Sequence, residues 1–178
     1  RQNSSAKVIN NTLLAAGAAA LVATYLKPLI MKTYRPTARW DIGTCCNGVL
    51  VGCVSVTGAC DRIENWAAVI IGIIGAFVYI GACRFLEKTG IDDPVEASAV
   101  HGAGGIWGLI AVAFFDNTTG IVYPISTRGR FLGIQLAGVF AISAWTIGMS
   151  ILFFGIVRLL KLHRVPLSVE IMGYDIAD

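Results

Sequence analysis

The sequence predicts an all-α, polytopic membrane protein with five transmembrane helices, and three observations carry that prediction. Hydrophobic residues make up 56% of the 178-residue chain and charged residues only 14%; the mean hydropathy is +0.71, well to the apolar side of a soluble domain. Apolar runs of roughly 18 residues, the length that crosses about 30 Å of hydrocarbon at 1.5 Å per residue, recur five times. The connections between those runs are short and polar, too short for a second domain, so the whole of residues 1–178 forms one membrane domain.

The first span is 8–26. It lacks the charged start and small-residue cleavage site of a secretory signal, so it reads as a true span, and the arginine at position 1 in place of Met suggests a fragment. The second, 43–59, and third, 66–86, carry Gly48 with Gly52 and Gly72 with Gly75, small-residue pairs that allow helices to approach closely. Gly129 and Gly133 read the same way at the start of the fifth. The fourth span is 95–115, and the fifth, 131–160, is long enough to tilt, bend or project from the bilayer before a tail at 161–178. Trp40, Trp66 and Tyr123 fall near predicted interfaces, as belt anchors, whereas Trp107 and Trp145 fall inside spans and need partners for their indole N–H groups if buried in protein.

Five spans place the two ends on opposite sides. Nine basic residues (Lys27, Lys32, Arg35, Arg39, Arg84, Lys88, Arg158, Lys161, Arg164) collect on one side and five (Arg1, Lys7, Arg62, Arg128, Arg130) on the other. The nine-residue side is expected to be cytoplasmic, which puts the N-terminus outside and the tail inside. Basic loops against anionic lipid account for the net charge of +3, so no nucleic-acid partner is implied. The five cysteines, Cys45, Cys46, Cys53, Cys60 and Cys83, show no metal-ligand spacing with histidine and read as apolar packing; no metal and no cofactor is expected. Asn117-Thr118-Thr119 is a glycosylation sequon on an expected external loop.

The chemistry concentrates in "IDDPVEASAVHGAGGIWG", residues 91–108. Asp93, Pro94 and Glu96 fit a helix start, with Asp93 as N-cap, Pro94 at the first helical position and Glu96 at the third, as in a capping box. His101 then lies eight residues past the cap, roughly 12 Å up the axis and near the bilayer midplane. A charged imidazolium at that depth costs several kcal/mol on lenient scales, about 3, so the ring is expected to be neutral, with one donor and one acceptor to satisfy. Ala97, His101, Gly105 and Gly108 share a face at spacings of four, four and three. That face is either a packing seam, with Gly104 and Gly108 admitting another helix, or a narrow path whose polar wall is the imidazole. An esterase oxyanion loop is a poor third reading: there is no Gly-x-Ser-x-Gly elbow, and the second histidine, His163, lies in the basic tail.

The stretch "DDPVEASAVHGAGGIWG" resembles the signature around the second pore histidine of the ammonium transporter family (Amt/Mep/Rh), in its Amt branch. Further blocks follow in the family's order: "NNTLLAAGAAALVA", "NGVLVGCVSVTGACD", "AAVIIGIIGAF", "GIQLAGVFAISAW" and the tail "HRVPLSVEIMGYDIAD". The resemblance implies the C-terminal half of an inverted-repeat transporter fold, about spans seven to eleven of eleven, in a subunit that forms homotrimers. It implies a non-enzymatic membrane protein, at the plasma membrane, that moves ammonium by deprotonating it and passing ammonia along a histidine-lined pore. His101 would be the pore histidine and Ala97, Gly105 and Gly108 would line the path. The partner histidine, the external recruiting residues and the phenylalanine gate belong to spans outside this chain, so the fragment alone is expected to be inactive. Glu96 stands where many relatives carry Asp, and Ala97 and Ser98 where they are often larger, which could widen the cytoplasmic end. An ammonium sensor on the same scaffold, or a channel for another small neutral solute, remain the alternatives.

Overall fold

The computed structural model describes residues 2–31, 41–123 and 128–173, and it is helical throughout with no strand among the described residues. The helices are α1 (Gln2–Met31), α2 (Ile42–Val56), α3 (Asn65–Thr89), a π-helical segment Ser98–Ala103 that runs directly into α4 (Gly104–Phe115), α5 (Arg128–Leu159) and the short α6 (Leu167–Met172). Four of them, with the π segment counted into α4, are long and apolar enough to cross a membrane; α2 is shorter, at 15 residues. Fifteen residues span about 22 Å, less than the hydrocarbon thickness.

Helix ends fall where local chemistry stops them. The carboxylate of Asp41 caps α2, accepting from the Thr44 amide at 2.7 Å and its hydroxyl at 2.7 Å. Residues 57–59, counted into the second span by their hydropathy, lie beyond α2 in a series of tight turns, with Ala59 N–H bonded to Val56 O and Arg62 N–H to Ala59 O. Ala59 and Ile63 are nevertheless fully buried, so hydropathy there reported burial and not helix. Gly90, at φ +68°, closes α3 with Ile91 N–H bonded back to Leu86 O at 3.1 Å. Only a residue without Cβ adopts that left-handed conformation readily.

The chain divides into two compact units, 1–137 and 138–178. In the first, α2 and α3 form the middle, with α1 packed on both and α4 also packed on both. The close approach of α1 depends on absent side chains. A Cβ on Gly52 would lie 2.4 Å from the Ala15 carbonyl oxygen, and one on Gly72 would lie 2.3 Å from the same atom. Ala15, Ala19 and Ala23 are fully buried along that stripe. Gly48 faces Ala20 and Ala23, and Gly75 faces Ser55. Gly129 and Gly133 differ from the sequence expectation: among the described residues nothing lies within 4 Å of a Cβ built on either, so they make no close helix contact there.

Trp107 finds the partner its indole requires, donating to the Ile71 carbonyl at 3.0 Å. Trp145 is instead 72% exposed. Trp66, near the start of α3, stacks edge-on against Phe115 with ring centroids 6.0 Å apart. Trp40 and the basic residues Lys32, Arg35 and Arg39 lie outside the described residues. In the second unit, the remainder of α5 is apolar and unburied, Leu162 N–H bonds back to Val157 O, and Arg164 pairs with Glu170 of α6 at 3.6 Å. The cysteines are unpaired, with Cys83 buried and Cys46 exposed.

Candidate pore residue and its support

His101 sits in the π-helical segment, and its side chain is exposed. The residues on either side of it alternate sharply. Ala97, Ser98, Gly102 and Ile106 are exposed with it, whereas Ala99, Val100, Gly104 and Gly108 are buried against the neighbouring helices. The imidazole is therefore carried on the side of this segment that faces away from the core of the first unit.

Gly105 is half-buried, 4.0 Å from Val54 through its would-be Cβ, and Gly108 does not belong to the His101 face. A Cβ on Gly108 would meet the backbone oxygens of Ser55 at 3.0 Å and Val54 at 3.1 Å, and one on Gly104 would meet Val51 at 2.7 Å. Gly104 and Gly108 thus form the seam that admits α2, turned from the exposed face that carries His101. The π turn is the reason: it holds an extra residue, so a face counted at 3.6 residues per turn loses phase beyond Ala103. Ile106, which the spacing passed over, takes the exposed place instead.

The helix start differs from the capping-box expectation as well. Pro94 and Val95 form a turn, with Glu96 N–H bonded to Asp93 O at 3.0 Å, and the helix begins after Glu96. Asp93 still satisfies a free amide, accepting from Ser98 N–H at 2.9 Å. Glu96 does not turn back to cap; it adopts φ +58°, a left-handed conformation rare for a residue with a side chain. Its carboxylate is needed elsewhere.

That carboxylate gathers three helices. Lys27 of α1 and Tyr79 of α3 both donate to it, and Asn47 of α2 donates at 2.9 Å. Lys27 also donates to the Tyr79 hydroxyl at 2.8 Å and lies 4.8 Å above its ring. The Lys27 side chain is only 12% exposed, although the sequence count placed it among loop residues. Beside this cluster lies a pocket of about 240 Å³ lined by Met31, Cys83, Leu86, Glu87, Ile91, Asp93 and Glu96. Sequence reasoning missed the cluster because its members are up to 69 positions apart; the signals were a lysine and a tyrosine embedded in apolar runs, with nothing to pair them.

The opposite end of the bundle is closed by a second polar arrangement. Asp116, fully buried, ends α4 and accepts from the amides of Thr118 and Thr119, both at 2.8 Å, and from both hydroxyls. Burial disfavours its charge, but these four donors outweigh that and hold its carboxyl below the usual carboxylate range. Asn117 of the sequon donates to Glu64 at 2.7 Å, and Glu64 also meets Lys7 at 3.4 Å. The donors Asn117 and Lys7 likewise hold the exposed Glu64 carboxyl below its ordinary value. Among the described residues no three His, Cys, Asp or Glu side chains come together as a metal site.

Long apolar helices joined at glycine seams, four of them long enough to cross a bilayer, define a polytopic integral membrane protein. The chain belongs to the Ammonium Transporter Family, whose model matches residues 1–178. Ammonium transporter 1 member 1 of Arabidopsis thaliana is 35% identical over 92% of this chain and 34% of its own length. Ammonium transporter Amt2 of Archaeoglobus fulgidus is 33% identical over 96% of this chain and 37% of its own. The chain therefore spans about a third of the curated relatives it matches. Among solved structures, a Sensor Amt Protein superposes with a TM-score of 0.80 at 34% identity, covering 98% of this chain and 42% of that one. Saccharomyces cerevisiae Mep2 superposes with a TM-score of 0.74 at 26% identity, over 92% of this chain and 38% of that one.

Proposed function

We propose that this chain supplies about spans seven to eleven of a transporter subunit that carries ammonium across a membrane, with His101 on the path. The observation that carries the reading is the placement of His101: an imidazole inside an apolar helix, presented on the unpacked side of the first unit. A bare cation in hydrocarbon is prohibitive, whereas ammonia is small, neutral and able both to donate and to accept a hydrogen bond. Ammonium gives up its proton to solvent water before entering the apolar stretch, and a neutral imidazole then offers ammonia one donor and one acceptor. Ala97 and Gly105 leave the ring room on its own face.

On this reading the missing spans supply the opposite wall, including the histidine that shares a proton with His101. The complete subunit assembles as a homotrimer among membrane lipids at the plasma membrane, with the N-terminal end of this chain outside and its tail inside. It does no enzymatic chemistry, consistent with relatives named as ammonium transporters.

A second reading has one specific observation in its favour, the likeness to a structure described as a Sensor Amt Protein. A sensor would bind ammonium at the same place and report occupancy without conducting. The deciding experiment is ammonium-evoked current through the full-length protein, with and without His101→Ala, at matched surface expression. A saturable current that the substitution abolishes or makes less selective supports transport. Binding of ammonium without current supports the sensor.

A further inference from the structure

We propose that Glu96 is a positioning residue for His101: its side chain, clamped by three helices, sets the helical phase in which the imidazole is presented. This rests on the reading that His101 lines the path. The free amide at the helix start is already satisfied by Asp93, so Glu96 is not required as a cap. Its backbone nevertheless begins the helix, because the Glu96 carbonyl accepts from Val100 N–H at 2.9 Å. Whatever holds Glu96 therefore holds the first turn, and His101 follows Val100 directly.

Two features make that hold consequential. Glu96 occupies a left-handed conformation at φ +58°, which a residue with a Cβ keeps only when its surroundings impose it. The surroundings are Lys27, Tyr79 and Asn47, one from each of α1, α3 and α2; Asn47 reaches the Val95 carbonyl as well, at 3.3 Å. The segment that follows is π-helical, with Gly104 N–H bonded to Ala99 O five residues back. A π turn carries one residue more than an α turn and can relax by losing it. A slip of one residue turns the following side chains by about 100°, enough to carry His101 from the exposed face toward the one that buries Ala99 and Val100. With its anchor in place, Glu96 blocks that slip.

The test reads the imidazole itself. Full-length protein is treated briefly with diethylpyrocarbonate, and carbethoxylation of His101 is quantified by mass spectrometry against His163, which lies in the exposed tail and serves as internal reference. Glu96→Gly tolerates the left-handed backbone but removes the clamp; because the slip turns His101 toward the face that buries Ala99 and Val100, we expect the His101/His163 ratio to fall severalfold. Tyr79→Phe removes one donor and should shift the ratio in the same direction by a smaller factor, and Glu96→Gln, which keeps length and an acceptor, should restore it toward wild type. Asp116→Asn, which disturbs the turn at the opposite end of the bundle, should leave it unchanged. The proposal is overturned if Glu96→Gly and Tyr79→Phe leave the ratio at the wild-type value, or if Asp116→Asn shifts it equally. Should Glu96→Gly fail to assemble, Tyr79→Phe and Lys27→Met decide on the same criterion. A shifted ratio in a protein that carries no ammonium current would uphold the positioning role and sink the transport reading instead.

Discussion

Adding one methyl group at Gly72 should loosen the bundle measurably. The new Cβ would fall 2.3 Å from the Ala15 carbonyl oxygen and 2.9 Å from both the carbon and the Cα of Ala15. Ordinary contact for such atoms begins near 3.4 Å, so α1 and α3 must separate by the better part of an ångström. The obstacle is backbone, not the tip of a flexible side chain, and no rotamer change relieves it. Overpacking of this kind costs about 1–3 kcal/mol. In a full-length subunit about three times as long as this chain, the relation gives about 1 °C per kcal/mol, so a 2 kcal/mol loss lowers the melting temperature by about 2 °C. Gly81 provides the control, since among the described residues nothing lies within 4 Å of its would-be Cβ, and Gly81→Ala should be neutral or stabilising by up to about 1 kcal/mol through helix propensity. The assay is thermal unfolding of detergent-solubilised full-length protein, followed by fluorescence-detected size exclusion. Equal melting of Gly72→Ala and Gly81→Ala would refute the claim that glycine is required at the α1–α3 seam.

Trp107→Phe keeps most of the aromatic volume but removes the indole bond to the Ile71 carbonyl, 3.0 Å long; a loss of about 1 kcal/mol is expected in the same assay. The turn closed by Asp116 should be acid-sensitive. Its carboxyl is held below its ordinary value in the folded chain despite burial, by Thr118 and Thr119, so its stabilisation is complete above the unfolded value of about 3.9 and disappears as pH falls through the lower folded value. Asp116→Asn should flatten that part of the stability–pH curve below about pH 5, and an unaltered curve would show that the turn contributes nothing at acid pH.

Helix existence was legible because hydropathy responds to the same burial and lipid exposure that stabilise a span. Each of the five predicted runs contains a helix, and the glycine pairs at 48 and 52 and at 72 and 75 mark real seams. Ends were less legible. The second run reached position 59 because Ala59 is buried, yet α2 stops at Val56. Gly129 and Gly133 show that a small-residue pair permits close approach without ensuring it.

At the site, the residue type alone singled out His101, because an ionisable ring in an apolar run has few structural excuses. Its neighbours could not be assigned in the same way. The spacing rule counts a uniform helix, and the extra residue of the π turn moved Gly108 onto α2 and exposed Ile106. Likewise, Asp93 and Glu96 carried the letters of a capping box, but only Asp93 bonds a helix amide.

By itself, then, the sequence determined the apolar helical class, the approximate positions of the apolar helices and the histidine that stands inside one of them, because composition and local periodicity act within a single helix. Tertiary structure alone decided which glycines touch backbone, which face His101 occupies, and that Lys27, Asn47, Tyr79 and Glu96 meet at one point. Those are contacts between segments far apart in the chain, and no local pattern encodes the phase at which one helix packs against another.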